Sequence, residues 1–318
     1  MPNRTLTLLR RVEVGHASDP ARSTGVTALL FGVAAPTVID VRGGASCTYD
    51  TASLALDATF GRRWGIFFAG GSVYGLDAAR GLRTALAERG AGHTTFANPN
   101  PVIPITGATL FDLPDEAVEL PDYDLIGRAA ARAASRVPVP SGRIGAATGA
   151  SLGKYLGRER ATPGALGSAA EATDRGGSIG VLVVLNSVGA VRDPETGRWL
   201  AGARSADGRI VPPTERRLRR RSGATPSRGT TLVAVVTDVP VDRPTLQRIA
   251  IYAHAGLARV IDPAHTASDG DVVFASCTRE PARPLGRNRD GRQGDTLGSY
   301  AARLVVVAAR TAVEAPLS

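Results

Sequence analysis

The chain carries a glycine-threonine pair where an arginine-rich segment meets an apolar run. Residues 216–229 are too basic and too rich in proline and glycine to pack, whereas Thr230–Thr237 is β-branched and typical of a buried strand. A hydroxyl held on the first residue of a strand is suited to attack the preceding carbonyl. An N-to-O acyl shift and hydrolysis would then expose Thr230 as a new N-terminus, whose amine, with a pKa of about 8, serves as the base for its own hydroxyl. The alternative is a simple turn at Gly229.

Lys154 is the only lysine among 38 basic residues. Arginine keeps its proton, whereas lysine offers a compact charge whose pKa moves on burial. A single lysine in this composition therefore indicates a chemical requirement, the alternative being an accident of composition on a solvated surface. Its glycine-rich setting, residues 145–154, resembles a phosphate-binding loop only superficially. Thr148 stands where that loop needs its first glycine and Tyr155 where it needs a serine or threonine, so nucleotide binding is excluded.

Asn186 ends the predicted strand over residues 181–186. Its side chain has two possible uses. It either caps a turn or presents an amide N–H group to a developing oxyanion, a task that suits a donor held rigidly at a strand end.

Asp269 and Asp271 directly precede a predicted strand over residues 272–276. If the chain is already extended there, strand alternation places both carboxylates on one face. Such a pair would orient the hydroxyl and amine of Thr230 and hold the ammonium of Lys154; the alternative is an isolated Asp-Gly turn. His265 lies near this pair in the sequence, but no spaced set of His, Asp and Glu indicates a metal site, and we expect no metal and no cofactor.

The surrounding pattern predicts an α/β protein in which short apolar strands alternate with amphipathic helices. Its 318 residues and 43% hydrophobic content are enough for a large core. The predicted strands are residues 25–31, 37–41, 64–69, 181–186, 230–237 and 272–276, and the predicted helices are residues 76–89, 124–134, 244–260 and 296–313.

The net charge of +9 is concentrated in one segment. Residues 209–228 contain seven arginines and one glutamate, and so supply +6 of that charge. The cluster at residues 216–221 has no interleaved aromatic residues and no nucleic-acid-binding signature beside it, so we expect a flexible linker over residues 209–229 and no nucleic-acid partner. The sequence also shows no hydrophobic leader and no apolar stretch of membrane-spanning length, which predicts a cytoplasmic location with reduced Cys47 and Cys277.

Taken together, these motifs resemble the L-aminopeptidase/D-esterase family of self-processing N-terminal-nucleophile hydrolases, which includes β-peptidyl aminopeptidases. Within that family the chain is most similar to the aminohexanoate-oligomer endohydrolases. The resemblance runs from about residue 22 to residue 311. Its anchors are residues 40–44, 69–76, 108–112, 145–154, 186–189, 229–231, 265–266 and 269–271.

The resemblance implies an α/β (α+β) fold, a four-layer αββα sandwich with two central sheets, as one domain over residues 1–318. It implies self-cleavage into residues 1–229 and 230–318, with Thr230 as the nucleophile. By position, Asp269 and Asp271 are its carboxylate partners, Lys154 supplies positive charge and Asn186 serves the oxyanion. A homo-oligomer, with a tetramer favoured, is also expected.

Two positions depart from the family pattern. The residue before the scissile bond is often asparagine in the family and is Gly229 here, which bears on the rate of self-processing. Phe111 replaces a tyrosine of the nylon-oligomer enzymes, so any hydroxyl contributed there is missing. We expect Phe111 and Tyr74 to contact substrate, a linear amide such as a 6-aminohexanoate oligomer or a peptide.

Three other functions stay open from the sequence. The first is an L-aminopeptidase/D-esterase or β-peptidyl aminopeptidase. The second is acyl transfer, because ornithine acetyltransferases resemble this architecture and use the same kind of threonine. The third is an uncleaved binding protein that uses the arginine cluster, and denaturing electrophoresis would distinguish it.

Overall fold

The computed structural model describes residues 3–95, 98–114, 116, 119–174, 176–214, 228–279 and 290–315. Residues 215–227 of the predicted linker, which include the arginine cluster, lie outside the described residues.

Groups of consecutive strands are separated by single helices along the described chain. The strands are β1 Val12–Asp19, β2 Thr24–Val41, β3 Cys47–Tyr49, β4 Arg62–Ala69, β5 His93–Thr95, β6 Asn98–Val102, β7 Thr106–Thr109, β8 Ser151–Leu152, β9 Thr162–Pro163, β10 Ala165–Ala172, β11 Ser178–Asn186, β12 Ala190–Arg192, β13 Trp199–Ala201, β14 Thr230–Thr237, β15 Ile261–Asp262 and β16 Val272–Cys277. The helices are α1 Ala78–Glu88, α2 Tyr123–Arg132, α3 Arg243–Val260 and α4 Asp290–Glu314.

The long strand β2 takes part in two sheets. Its first half pairs with β1 and β4, and β7 and β3 continue that sheet. Its second half pairs with β16, followed by β14, β11 and β10. The sequence predicts two strands here, and the structure shows one. Residues 32–36 contain no pair of turn residues, so the chain stays extended, and the change of sheet occurs at a register shift between Leu30 and Ala35.

The two sheets face each other across a shared apolar layer. Leu29 and Phe68 of the first sheet lie in the same buried cluster as Leu182 and Phe274 of the second, and the two phenylalanine rings are 6.2 Å apart. Successive side chains of a strand point to opposite faces, so Val183 points away from this layer toward the helices. This explains why the central strands read as continuous apolar runs.

Helices cover both outer faces. Helices α1 and α2 pack on the first sheet, and α3 and α4 pack on the second. Helix α3 begins where the sequence predicts, because the Asp242 carboxylate caps it by accepting from the Thr245 N–H at 2.9 Å. Helix α4 begins at Asp290, six residues earlier than predicted. The four-layer α/β arrangement expected from the sequence is confirmed.

Candidate active site

Sheet register brings three of the predicted residues together. Thr230 is the first residue of β14 and lies opposite Asn186, the last residue of β11. On its other side β14 runs parallel to β16, and an isolated parallel bridge joins Gly229 to Asp269 just before these strands begin. The nucleophile candidate, the amide and one carboxylate therefore meet at the end of three adjacent strands.

The Gly229–Thr230 peptide group is held by short hydrogen bonds. The buried Thr230 hydroxyl donates to the Gly229 carbonyl oxygen at 2.5 Å, and the Gly270 N–H donates to the same oxygen at 2.9 Å. The Gly229 N–H donates to the Ser268 carbonyl at 3.0 Å. The hydroxyl thus lies beside the carbonyl that precedes it, and a backbone donor polarises that carbonyl.

Asp269 is fully buried beside this peptide. Its Oδ1 accepts from the Val188 N–H at 2.9 Å, and its Oδ2 accepts from the N–H and the hydroxyl of Thr266 at 3.2 and 2.5 Å. Burial raises the pKa of Asp269, and the negative charge of Asp271 raises it further, while the Thr266 and Val188 donors oppose the rise. Asp269 is therefore a buried carboxyl group with a raised pKa beside Thr230.

Asp271 binds Thr231, the residue after the candidate nucleophile. Its Oδ1 accepts from the Thr231 N–H at 2.6 Å. Its Oδ2 accepts from the His265 N–H at 2.9 Å and lies 2.9 Å from the His265 Nδ1. Asp271 thus fixes the start of β14, on which Thr230 stands.

A second histidine supports His265 from α3. The His254 ring meets the His265 ring edge-on, with centroids 4.8 Å apart, and the His254 Nε2 lies 3.0 Å from the Asp40 carbonyl oxygen. Burial lowers the pKa of His254 to about 4, so this imidazole is neutral at neutral pH. The sequence places His265 near the aspartates but does not indicate its hydrogen bonds to Asp271. Its left-handed backbone, with φ 57°, is visible only in the structure.

Lys154 lies buried beside Asn186. Its ammonium donates to the Asn186 carbonyl oxygen at 2.7 Å and to the Asn186 Oδ1 at 2.8 Å. Burial lowers the pKa of Lys154 from 10.5 to about 7, and the negative charge of Asp269 opposes this change. The lone lysine is thus a buried residue of this site, which excludes the alternative of a solvated surface position.

Both the oxygen and the nitrogen of the Asn186 side chain make hydrogen bonds. Its Oδ1 accepts from Lys154 and from the Ser151 N–H, and its Nδ2 donates to the Phe111 carbonyl at 3.2 Å. The backbone donor on the Gly229 carbonyl is the N–H of Gly270, which the sequence did not single out.

A cavity of about 300 Å³ opens onto Thr230. Phe111 lines it, and the Arg228 guanidinium lies over the Phe111 ring, 4.9 Å from its centroid. Tyr74 is not among the residues that line this cavity. It is exposed on a 3₁₀ helix, and Ser72 of the same helix lines the cavity instead. The full lining is Ala45, Cys47, Ser72, Thr109, Leu110, Phe111, Arg228, Gly229, Thr230 and Ser268.

Asp112, the residue after Phe111, lines a separate cavity of about 630 Å³. Burial raises the pKa of Asp112 to about 6, opposed by hydrogen bonds from Gly71 and Thr24. Within the residues the structure describes, no cluster of His, Cys, Asp and Glu has the makings of a metal site, and no helix has the length and apolarity to cross a membrane.

Comparison with known proteins finds a family match over most of the chain. Residues 5–316 match Peptidase family S58. An uncharacterized aminopeptidase of Mycobacterium tuberculosis is 36% identical over 291 residues, which cover 86% of this chain and 81% of the relative. A 6-aminohexanoate-oligomer endohydrolase of Kocuria sp. is 30% identical over 304 residues, which cover 92% of this chain and 81% of the relative.

Two solved structures share the fold. The L-aminopeptidase D-Ala-esterase/amidase of Ochrobactrum anthropi, described as a variant of the Ntn hydrolase fold, has a TM-score of 0.67 at 20% identity, over 98% of this chain and 86% of that one. A β-aminopeptidase of Burkholderia sp. has a TM-score of 0.66 at 20% identity over the same shares.

The relatives define an amide-bond hydrolase, and the solved structures show that the chain has the Ntn hydrolase fold. The chain belongs to Peptidase family S58. The resemblance drawn from its sequence motifs is thereby confirmed.

Proposed function

We propose that the chain cleaves itself between Gly229 and Thr230 and then hydrolyses linear amides with Thr230 as its N-terminal nucleophile. The observation that carries this proposal is the Thr230 hydroxyl 2.5 Å from the Gly229 carbonyl oxygen, which also accepts from the Gly270 N–H. A nucleophile beside a polarised carbonyl, inside a buried site, is arranged for acyl transfer.

Self-cleavage proceeds in two steps. The Thr230 Oγ1 bonds to the Gly229 carbonyl carbon, the Gly229–Thr230 C–N bond breaks, and the hydroxyl proton passes to the departing nitrogen. Gly229 is then an ester of the Thr230 hydroxyl. Water hydrolyses that ester, which leaves a carboxylate on Gly229 and a free hydroxyl and α-amine on Thr230.

Turnover repeats this chemistry on a substrate amide. The freed α-amine of Thr230 takes the hydroxyl proton as Oγ1 attacks, and it returns the proton to the leaving amine. Lys154 and the carboxylates of Asp269 and Asp271 supply the charge around the nucleophile, and the Asn186 amide serves the oxyanion. Water then releases the acyl group.

The substrates proposed are 6-aminohexanoate oligomers or peptides, in keeping with the curated relatives. L-aminopeptidase or β-aminopeptidase activity is the alternative that the names of the other relatives favour, and acyl transfer to an amine is a further one. The proposal also includes one domain over residues 1–318, a cytoplasmic location and a homo-oligomer, with a tetramer favoured. Light scattering of the purified protein measures the oligomeric state.

N-terminal sequencing and mass spectrometry of the purified protein test the cleavage. We expect two fragments, residues 1–229 and 230–318. Thr230→Ala should abolish cleavage and hydrolysis, and Thr230→Ser should keep part of both because a hydroxyl remains. Thr231→Ala should reduce cleavage and hydrolysis less than Thr230→Ala does. An intact chain that hydrolyses amides after long incubation would refute the proposal.

A further inference from the structure

The residue on the acyl side of the proposed scissile bond has no room for a side chain. A Cβ atom added to Gly229 would lie 2.1 Å from the Asp269 Oδ1 and 2.5 Å from the Val188 backbone nitrogen. These two atoms are hydrogen-bonded to each other at 2.9 Å. Asp269 is also held by two hydrogen bonds from Thr266. The surface formed by the Asp269 Oδ1 and the Val188 backbone nitrogen, called the Asp269–Val188 wall below, therefore has little freedom to move aside.

The same wall faces the acyl group of a substrate. After the proposed N-to-O shift, the Gly229 carbonyl is an ester of the Thr230 hydroxyl, and a substrate acyl group is attached to the same oxygen during turnover. The carbon next to the scissile carbonyl is the Gly229 Cα in one case and the α-carbon of the substrate in the other. The crowding at the Gly229 Cα therefore also applies to the α-carbon of a substrate acyl group.

The next residue upstream shows where the acyl chain continues. Arg228 is an exposed residue, and its guanidinium lies over the Phe111 ring, 4.9 Å from the ring centroid. Arg228, Phe111 and Thr230 all line the same cavity. The face of an aromatic ring attracts a cation, and Phe111 offers no hydroxyl that would compete for this contact.

We infer that the acyl site accepts a chain with an unsubstituted CH₂ group next to the scissile carbonyl and a cationic group over Phe111. This inference rests on the proposed function and names its substrate class. The chain's own Arg228-Gly229 segment has both features, as do glycyl units preceded by arginine or lysine. L-α-substituted acyl groups such as alanyl are excluded by the Asp269–Val188 wall.

Three matched substrates test the inference: acetyl-arginyl-glycyl, acetyl-arginyl-L-alanyl and acetyl-citrullinyl-glycyl p-nitroanilide. Citrulline has the shape of arginine without its charge. We expect kcat/KM for the alanyl compound to fall at least tenfold, as overpacking a rigid site requires. The citrulline compound should fall about two- to fivefold, the range of an exposed cation–π contact. Phe111→Leu should remove the preference for arginine over citrulline and keep the preference for glycine over alanine.

Self-cleavage gives a second, independent measurement. Gly229→Ala should slow the appearance of the fragment that begins at Thr230 by at least tenfold. Gly32→Ala is the matched control, because its added methyl group meets nothing closer than 3.8 Å, and it should cleave at the wild-type rate.

The outcomes separate the two proposals. Hydrolysis of the glycyl and alanyl compounds at equal rates, or of the arginine and citrulline compounds at equal rates, would overturn the inference and leave the proposed function standing. Hydrolysis of none of the three, by a protein that also fails to cleave itself, would overturn the proposed function and the inference with it.

Discussion

Replacing Lys154 with arginine tests whether the site needs a compact ammonium or only a positive charge. The Lys154 side chain is 3% exposed and donates two hydrogen bonds to one residue, at 2.7 Å to the Asn186 carbonyl and at 2.8 Å to its Oδ1. A guanidinium is longer and planar, and its fork does not fit two acceptors this close in a space shaped for an ammonium. Lys154→Arg should therefore lose the two hydrogen bonds to Asn186 while a positive charge stays buried.

Losing one partner of a buried charged group costs about 3–5 kcal/mol. If that cost falls on the transition state, kcat/KM falls by about 10²- to 10³-fold or more. The assay is steady-state hydrolysis of a glycyl p-nitroanilide by cleaved protein, with circular dichroism and thermal unfolding as checks of folding. Lys154→Met should lose as much activity, and the exposed exchange Arg80→Lys on α1 should lose none. A fully active, correctly folded Lys154→Arg enzyme would refute the reasoning.

Burial of Lys154 also makes the stability of the uncleaved Thr230→Ala protein depend on pH. Below a pH of about 7, Lys154 is protonated in both the folded and the unfolded state, and the folded state bears the full cost of burying that charge. Between pH values of about 7 and 10.5 the unfolded state binds more protons than the folded state, so the free energy of unfolding rises with pH. Urea denaturation should show this rise, and adding Lys154→Met should remove it. His265→Ala removes the imidazole hydrogen bond to the Asp271 Oδ2 and should lower kcat about 10- to 100-fold. His265→Asn should restore most of the lost kcat, because asparagine tolerates the positive φ at this position. An unchanged kcat in the alanine variant would contradict this role of His265. Gly270→Ala places a methyl group 2.9 Å from the Thr230 hydroxyl and should slow self-cleavage at least tenfold, measured by timed N-terminal sequencing; wild-type cleavage would show that the backbone there moves freely.

Elements with a regular apolar period were predictable from the sequence. Strand β14 begins and ends at the predicted residues, because its β-branched run is bounded by glycine and a polar turn. Helix α4 starts earlier than its apolar pattern because glycines interrupt that pattern. Gly294, within the six residues that the sequence prediction left out, packs against Thr245 of α3, where an added Cβ atom would lie 3.3 Å from its Cγ2. Close packing of two helices thus removed the signal that marks a helix in the sequence.

The polar residues of the site were predictable by type but not by contact. Four polar residues stand out because each is either the only one of its type or lies at or next to the terminus of a strand: Thr230, Lys154, Asn186 and Asp269. Their distances depend on the pairing of β11 with β14 and on the bridge between Gly229 and Asp269. A local pattern contains no information on such register, because the paired residues are tens of positions apart in the chain.

Glycines 229 and 270 show most clearly what only the structure supplies. The chain has 37 glycines, and composition does not distinguish these two from the rest. In the structure one lies against the Asp269 carboxylate and the other against the Thr230 hydroxyl, each too close for a Cβ atom. The glycine before Thr230, at a position where the family often carries asparagine, lies in this structure against the Asp269–Val188 wall. Under the proposed function, one steric constraint governs both self-cleavage and acyl selectivity, so a change that relaxes the wall should alter both together.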